Sequence, residues 1–335
     1  MRWPDHKGRY FTESMTLILS QVGSAWVVQA SDRLVTRQLA ASVDAYDATA
    51  NKVVLFFSRD ALVCIAYSGL SYIGKTPTDH WIAEVLHGAP LEEYDGRPVL
   101  LTRRRAPNAN IDVGRAVSLL CSGLTAAALS APSMWRDAPV ELAIAGWQWA
   151  RRKRRRPIYI SVYRDGSGEF VAERSPRHNP PGFLLVAMPT GYLSRQEELD
   201  LVEVLKALNP VDVERALVAA IRRVADRSPK VGADCMRVLI PPPEYRSVFV
   251  TFDSSLPVLA NVRLASGSVT VPSVYSPWVV GPGLVLAPSL LGGGSEVTVG
   301  VGSFEVKLKP PQSAGSASGR GVQFQRSQTR ILPPP

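Results

Sequence analysis

Three polar residues stand at the ends of successive short apolar runs. Thr16 precedes a Leu-Ile-Leu run, Asp32 follows the run that begins at Trp26, and Lys52 precedes a Val-Val-Leu-Phe run. Runs of this length, separated by polar stretches, are typical of strands, so residues at neighbouring strand ends are expected to come close together. A threonine, an aspartate and a lysine arranged in this way can activate a hydroxyl nucleophile.

Each of these residues also has an ordinary structural explanation. A threonine at the start of a strand is often a β-former, an aspartate after a strand often forms a turn, and a lysine often lies on a solvated edge. Two histidines, His80 and His87, are seven residues apart on a predicted helix, but no carboxylate has a spacing that would complete a metal site. The sequence therefore predicts no metal and no cofactor.

The composition is that of a soluble globular protein. The chain has 335 residues, of which 46% are hydrophobic and 20% are charged, so it can bury a core. Cys64, Cys121 and Cys235 are far apart within apolar runs, which argues against a disulfide framework and favours a reducing compartment. Polar residues from Ser20 to Ser24 interrupt the apolar N-terminal stretch, and no long apolar run follows. We therefore expect a cytoplasmic protein with no membrane segment.

The net charge of +9 comes from two clusters. Arg103 to Arg105 supply three positive charges and a second cluster supplies six, so the remainder of the chain is neutral. The second cluster consists of Arg151, Arg152, Lys153, Arg154, Arg155 and Arg156. Such a cluster is either a solvated loop or a contact for nucleic acid or an acidic partner. No zinc finger, helix-turn-helix or aromatic-interleaved motif lies beside it.

Strands and helices alternate in groups along the chain. Apolar runs at 139–149 and 157–163 predict a β-hairpin with the second basic cluster at its tip, and 182–188 predicts a further strand. Capping residues and helical spacing of apolar residues predict four helices. These helices are 76–88, 111–129, 194–208 and 210–225. Two antiparallel sheets with two helices on each outer side would bury every apolar face in this α+β order.

A set of short motifs follows this order of elements. They are Thr16-Leu-Ile, Ala30-Ser-Asp32, Thr36, Lys52-Val, Ala66-Tyr-Ser-Gly69-Leu70, Ala145-Gly-Trp147, Pro157-Ile-Tyr159 and Asp165-Gly-Ser-Gly168. In this order they resemble the proteasome-type N-terminal nucleophile (Ntn) hydrolases, the family of the proteasome β-subunits. The resemblance covers roughly residues 15–240 and implies a four-layer αββα sandwich.

The resemblance also implies a role for each residue. Thr16 would be the first residue of the mature chain and the nucleophile, and its own α-amino group, with a pKa of about 8, would be the general base. Lys52 would lower the pKa of the hydroxyl, and Asp32 would keep Lys52 charged. Thr36 and Gly69 would pair with an extended peptide, and the Gly69 N–H would stabilise the oxyanion. The expected reaction is hydrolysis of a peptide or other amide bond through an acyl-enzyme on Thr16.

Two departures from the family pattern leave alternatives open. Asp226 and Ser228 resemble supporting catalytic positions, but the spacing from Ser228 to Gly232 differs. Met15 stands where self-processing members typically have glycine, so either translation starts at Met15 and this residue is trimmed, or Thr16 is never exposed. In the second case the chain would be a catalytically silent binding or assembly module, which could form a homo-oligomer. The third hypothesis is a binder of nucleic acid or an acidic partner through the second basic cluster.

The sequence predicts four segments. Residues 1–14 form an N-terminal extension, 15–243 the αββα domain, 244–309 a small β-rich extension and 310–335 a disordered tail. The tail is rich in Pro, Gly and Ser and has no acidic residue, so it cannot bury enough apolar surface to fold.

Overall fold

A computed structural model provides the structure of the chain. It describes residues 13–14, 16–38, 43–47, 50–91, 100–101, 108, 110–131, 139–149, 155–175, 182–206, 209–242, 247–253, 259–264, 267–282, 284–286, 288, 290–292, 295–300 and 303–308. The predictions for Met15, for Arg103 to Arg105, for residues 151–154 and for the tail from 310 lie outside the described residues.

The strands follow the apolar runs of the sequence. In chain order they are β1 Glu13–Ser14, β2 Ile18–Val22, β3 Val27–Asp32, β4 Val35–Gln38, β5 Val43–Asp47, β6 Val53–Phe57, β7 Ala61–Leu70, β8 Tyr72–Ile73, β9 Thr76–Pro77, β10 Leu100–Leu101, β11 Val140–Trp149, β12 Arg155–Arg164, β13 Phe170–Arg174, β14 Leu184–Met188, β15 Cys235–Ile240, β16 Ser247–Asp253, β17 Leu259–Leu264, β18 Gly267–Tyr275, β19 Trp278–Gly281, β20 Leu284–Leu286, β21 Leu290–Gly292, β22 Ser295–Gly300 and β23 Ser303–Leu308. β-Branched and aromatic residues make up most of the buried strands β6 and β19, as the pleated surface favours.

Two sheets contain most of these strands. The larger sheet has the order β10-β20-β19-β6-β7-β11-β12-β13, and β1 pairs with the end of β7. The smaller sheet has the order β14-β2-β3-β15-β16-β22-β23. Every pairing in both sheets is antiparallel within the described residues, except that β19 runs parallel to β6. The fold is therefore of the α+β class.

The helices begin at recognisable capping residues. They are α1 Thr78–His87, α2 Val113–Ser130, α3 Arg195–Lys206 and α4 Pro210–Ala225. Asp112 caps α2 by accepting from Arg115 N, and Asn209 caps α4 with a proline at the first helical position. Ser194 and Glu197 form the predicted capping box before α3, with bonds of 3.2 and 2.7 Å. The predicted bounds of α4 agree with the structure.

Three apolar clusters hold the elements together. One cluster packs α1 and α2 on the larger sheet, through residues such as Ile65 and Leu120. A second lies between the two sheets and includes Cys64 and Val238. A third packs α3 and α4 on the outer side of the smaller sheet, with Ile221 at its centre. Cys64 and Ile65 belong to different clusters because successive residues of a strand point to opposite faces.

Several C-terminal strands belong to one or the other of the two large sheets. The sequence predicts a small separate β-rich extension over 244–309, but β16 pairs with β15 in the smaller sheet and β19 pairs with β6 in the larger one. Val250 and Trp278 are buried in the central and outer cores. β16, β19, β20, β22 and β23 are therefore strands of the two main sheets, whereas β17, β18 and β21 form a separate three-stranded sheet.

The second strand of the β11–β12 hairpin begins two residues earlier than the sequence predicts. Arg155 and Arg156 were expected at its tip, but they pair with Trp149 and Gln148 as the first residues of β12. The arginines continue the strand because its pairing partners in β11 extend that far.

One helix has the length and composition that a membrane span requires. Among the helices that the structure describes, this is α2. Its residues Val113, Ala116, Val117, Leu120 and Leu124 are buried in the fold. A core helix that packs on a sheet meets the same criterion, because its buried face is equally apolar.

Gly146 should be intolerant of any side chain. A Cβ atom at this position of β11 would lie 2.1 Å from the Leu62 carbonyl oxygen, whereas a Cβ at Gly166 would contact nothing within 4 Å. We expect Gly146→Ala to lower the free energy of unfolding by about 2–4 kcal/mol. Gly166→Ala, the matched control, should change it by less than about 0.5 kcal/mol. Urea denaturation followed by circular dichroism measures both, and equal values would contradict the close approach of β11 and β7.

Candidate active site

The three residues singled out from the sequence meet between the two sheets. Thr16 lies two residues before the start of β2, Asp32 is the last residue of β3, and Lys52 lies directly before β6. The Lys52 ammonium donates to Thr16 Oγ1 and, at 3.1 Å, to Asp32 Oδ1. All three residues are fully buried. The smaller sheet therefore supplies the hydroxyl and the carboxylate, and the larger sheet supplies the cation.

Backbone groups complete the hydrogen bonding of this cluster. Asp32 Oδ2 accepts from Gly232 N at 3.1 Å and from Leu17 N at 3.4 Å. The Lys52 ammonium also donates to the Leu34 carbonyl oxygen. A Cβ at Gly232 would lie only 2.6 Å from the Leu34 Cβ, so glycine is required where these two segments meet. The buried pair is thus satisfied on both sides, which is the condition for retaining charges inside a protein.

Strand β7 of the larger sheet also fixes the backbone of Thr16 and Lys52. Ser68 Oγ donates to the Thr16 carbonyl oxygen at 2.9 Å, and Tyr67 N donates to the Lys52 carbonyl oxygen at 3.1 Å. Gly69 follows with a φ of +98°, and a Cβ there would lie 1.7 Å from the Pro139 carbonyl oxygen. Only glycine fits this position, because both the backbone conformation and the close approach exclude a side chain.

Burial and charge act in opposite directions on the pair. Burial raises the pKa of the Asp32 carboxyl, and the contact with Lys52 opposes this shift. Burial lowers the pKa of the Lys52 ammonium, the contact with Asp32 opposes it, and Arg33 lowers it further. Arg33 is itself buried and lies over the Phe252 ring, 5.2 Å from its centroid. Lys52 therefore gives up a proton more readily than a solvated lysine, and it does so beside the Thr16 hydroxyl.

The segment before Thr16 lies along the expected peptide-binding edge. Glu13 and Ser14 of β1 pair with Leu70 and Gly69 of β7, and β1 also contacts β4. Thr36, the other residue expected to pair with a substrate, is buried in β4. In this structure Thr16 is an internal residue, and its nitrogen is an amide rather than an amine.

The two supporting positions of the sequence analysis do not join the cluster directly. Asp226 follows α4 with an exposed side chain. Ser228 is half-buried, and its hydroxyl is hydrogen-bonded to Tyr192. Burial raises the pKa of the Tyr192 phenol, and the Asp32 charge adds to this, so Ser228 reaches the cluster only through Tyr192.

Sequence reasoning did not assign a role to three groups of the cluster. Leu34 and Gly232 contribute backbone atoms, which carry no signature in residue type. Ser68 lies inside the Ala66-Tyr-Ser-Gly69 motif, and its alternation with Ala66 on β7 could have placed its hydroxyl on the face toward Thr16.

Arg155 and Arg156, the described residues of the second basic cluster, lie apart from this site. Within the described ranges no group of three or more His, Cys, Asp or Glu residues could hold a metal ion. His80 stacks on Trp278 with ring centroids 4.9 Å apart. Arg156 donates to Gln148 Oε1 at 2.7 Å, at the far end of β11 from Gly69.

Comparisons with known proteins give only distant structural neighbours. No family model matches the chain, and no curated protein matches its sequence. A Gly-1 mutant of Anbu from Hyphomicrobium sp. strain MC1 is 13% identical, with a TM-score of 0.42 over 68% of this chain and 81% of its own. A structure of the helical assembly of the Anbu complex from Pseudomonas aeruginosa is 13% identical, with a TM-score of 0.41 over 67% of this chain and 81% of its own. Anbu (ancestral beta-subunit) from Yersinia bercovieri is 12% identical, with a TM-score of 0.41 over 67% of this chain and 82% of its own. Such low TM-scores assign no activity, so the chemistry has to come from the residues of this chain.

Removing one member of the buried pair should cost more than removing an exposed ion pair. Asp32→Asn and Lys52→Met each leave an uncompensated buried charge, so we expect each to lower the free energy of unfolding by about 3–5 kcal/mol. The double variant should lose less than the sum of the two. Glu198→Gln, which breaks the exposed pair with Arg195, is the control and should cost less than about 1 kcal/mol.

Urea denaturation of the wild type and the four variants gives the four differences in the free energy of unfolding. Strict additivity of Asp32→Asn and Lys52→Met would show that the two side chains are not coupled, contrary to the 3.1 Å contact between them.

Proposed function

We propose that the chain is a threonine N-terminal nucleophile hydrolase that cleaves peptide or other amide bonds. The observation that carries the proposal is the buried contact of Lys52 with both Thr16 Oγ1 and Asp32 Oδ1. A hydroxyl that contacts an ammonium is a better nucleophile than a solvated one, because the cation stabilises the developing negative charge. The three apolar clusters support an αββα order of layers, which places this contact at the ends of strands from both sheets.

The reaction requires the α-amine of Thr16. Once this amine is free, it accepts the proton of Thr16 Oγ1 while that oxygen attacks the carbonyl carbon of the substrate amide. The carbon–nitrogen bond then breaks, the leaving amine takes the proton, and an ester on Thr16 remains. Water hydrolyses the ester with the same amine as base, which releases a carboxylic acid and restores Thr16.

The chain elements around Thr16 account for substrate positioning. An extended peptide would pair with Gly69 of β7, where no side chain obstructs the backbone. Thr36 in β4 would bound the opposite side of the peptide, and the Gly69 N–H is the proposed oxyanion donor. Ser68 would fix the carbonyl of Thr16, so that the nucleophile cannot rotate away during the reaction.

The residues before Thr16 decide between an enzyme and a silent member of the same fold. While they remain, the Thr16 nitrogen is an amide and Ser14 pairs with Gly69, so a chain that retains them is inactive. If Met15 is the true start and is trimmed, the site opens. If the segment remains, the protein instead serves as a binding or assembly module.

Release of Thr16 can be measured directly. We expect the intact mass of the protein from its native source to correspond to a chain that begins at Thr16. A peptide β-lactone should then add one acyl group, because the free amine activates the hydroxyl. Thr16→Ala should abolish labelling and lower amide hydrolysis by at least about a thousandfold.

Two controls separate chemistry from folding. Thr16→Ser keeps the hydroxyl and should keep labelling, and Ser118→Ala removes an exposed hydroxyl of α2 and should leave hydrolysis unchanged. A native protein that retains Met1, or labelling that persists in Thr16→Ala, would sink the proposal and favour the silent module.

A further inference from the structure

Glu141 lies beside the residue that holds Thr16. It is the second residue of β11 and pairs with Ser68 of β7. Residues directly opposite in an antiparallel pair have Cβ atoms about 4.5–5.5 Å apart. Ser68 donates to the Thr16 carbonyl oxygen, so Glu141 is one strand away from the nucleophile.

The side chain of Glu141 is on the face between the two sheets. Ala143 and Ala145, two and four residues further along β11, are buried in the cluster between the sheets. Alternation along the strand therefore places Glu141 on the same face, at the end where Thr16 lies. Glu141 is half-buried, so one side of it remains open to solvent and to a ligand.

The Glu141 carboxylate has no cationic partner among the described residues. The backbone of Glu141 pairs with Ser68, but its side chain forms no hydrogen bond or ion pair with any residue that the structure describes, whereas Lys52 already contacts Asp32. Burial raises the pKa of the Glu141 carboxyl, because its charge is partly desolvated without compensation. A half-buried carboxylate with a raised pKa beside a candidate active site is itself a candidate functional group, since no described partner gives it a structural role.

A buried hydroxyl lies on the same face of the larger sheet, on the residue of β12 that pairs with Ala145, four residues along β11 from Glu141. Tyr159 of β12 is in the cluster between the sheets, and its hydroxyl is buried without a hydrogen-bond partner in the described part of the chain. Burial raises the pKa of the Tyr159 phenol, and the charge of Glu141 raises it further, so the two groups are within electrostatic reach. An unsatisfied buried hydroxyl costs about 1–3 kcal/mol unless a ligand or water completes it.

We propose that Glu141 and Tyr159 form a recognition site for a positively charged group of the substrate, an ammonium or a guanidinium. The carboxylate supplies the opposite charge, and the phenolic oxygen supplies a second acceptor for an N–H donor. The inference deepens the proposed function, on which it rests, by giving a substrate class: amides that carry a cationic group within about one residue of the bond that is cleaved. The site is negatively charged in a chain of net charge +9, so its attraction for a cationic substrate group has to act at short range.

Binding to the full chain tests the recognition site without any need for hydrolysis. The probes are Nα-acetyl-lysinamide and Nα-acetyl-norleucinamide, which differ only by the terminal ammonium. We expect the lysine amide to bind the full chain about tenfold more tightly, because charge-assisted hydrogen bonds to a partly desolvated carboxylate discriminate at this level. Titration followed by NMR chemical shifts at low and at high salt measures both affinities.

Variants identify the groups that recognise the charge. Glu141→Gln should reduce the ratio of the two affinities to about one, and Tyr159→Phe should reduce it a few-fold. Glu169→Gln, which removes an exposed carboxylate near the turn before β13, is the matched control and should retain the full ratio. Thermal denaturation should show that Tyr159→Phe is no less stable than the wild type, because the hydroxyl has no partner to lose.

The outcomes separate the two proposals. Equal affinity for the two amides in the wild type, or a preference that survives Glu141→Gln, overturns the recognition site even if Thr16 is an active nucleophile. A preference that disappears in Glu141→Gln supports the site even if the wild type hydrolyses no amide. In an active protein the same ratio should appear in kcat/KM for lysine and norleucine substrates.

Discussion

The buried pair of Lys52 and Asp32 is the interaction on which the rest of the site depends. Two charges inside a protein are retained only when hydrogen bonds satisfy them, since the cost of desolvation is several kcal/mol for each ion. Gly232 N and Leu17 N satisfy the carboxylate, and the Leu34 carbonyl and Thr16 Oγ1 satisfy the ammonium. The pair therefore joins the two sheets and also orients the Thr16 hydroxyl.

The sequence pattern was sufficient to predict that the three polar residues lie close together. Thr16, Asp32 and Lys52 end apolar runs, and strand ends of stacked sheets meet at a common edge. The residues that make this arrangement possible were not readable, because they act through the backbone. Gly232 donates to Asp32 across 200 residues of chain, and nothing in a glycine indicates which carboxylate its N–H will meet. The same holds for the Leu34 carbonyl.

The C-terminal strands show a different limit of sequence reasoning. Their apolar pattern and their Pro and Gly boundaries predict strands over 244–309, and strands form there. A pattern of alternation does not specify which sheet edge a strand joins, because any edge with free backbone groups accepts it. In the fold, β19 adds in parallel to β6, and Trp278 covers the end of a core that already contains α1. β19 thus supports β6, the strand that begins directly after Lys52.

The N-terminal segment connects fold and chemistry most closely. The edge at Gly69 is open to backbone pairing because no side chain fits there, and in the full chain the pairing partner is the segment that precedes Thr16 itself. Under the proposed function, this edge would bind a second extended backbone once the first is gone. Selectivity would then come from side chains near that edge. Glu141 pairs with Ser68 from β11, and its carboxylate has no partner among the described residues, so charge rather than shape is the property by which the proposed site would discriminate.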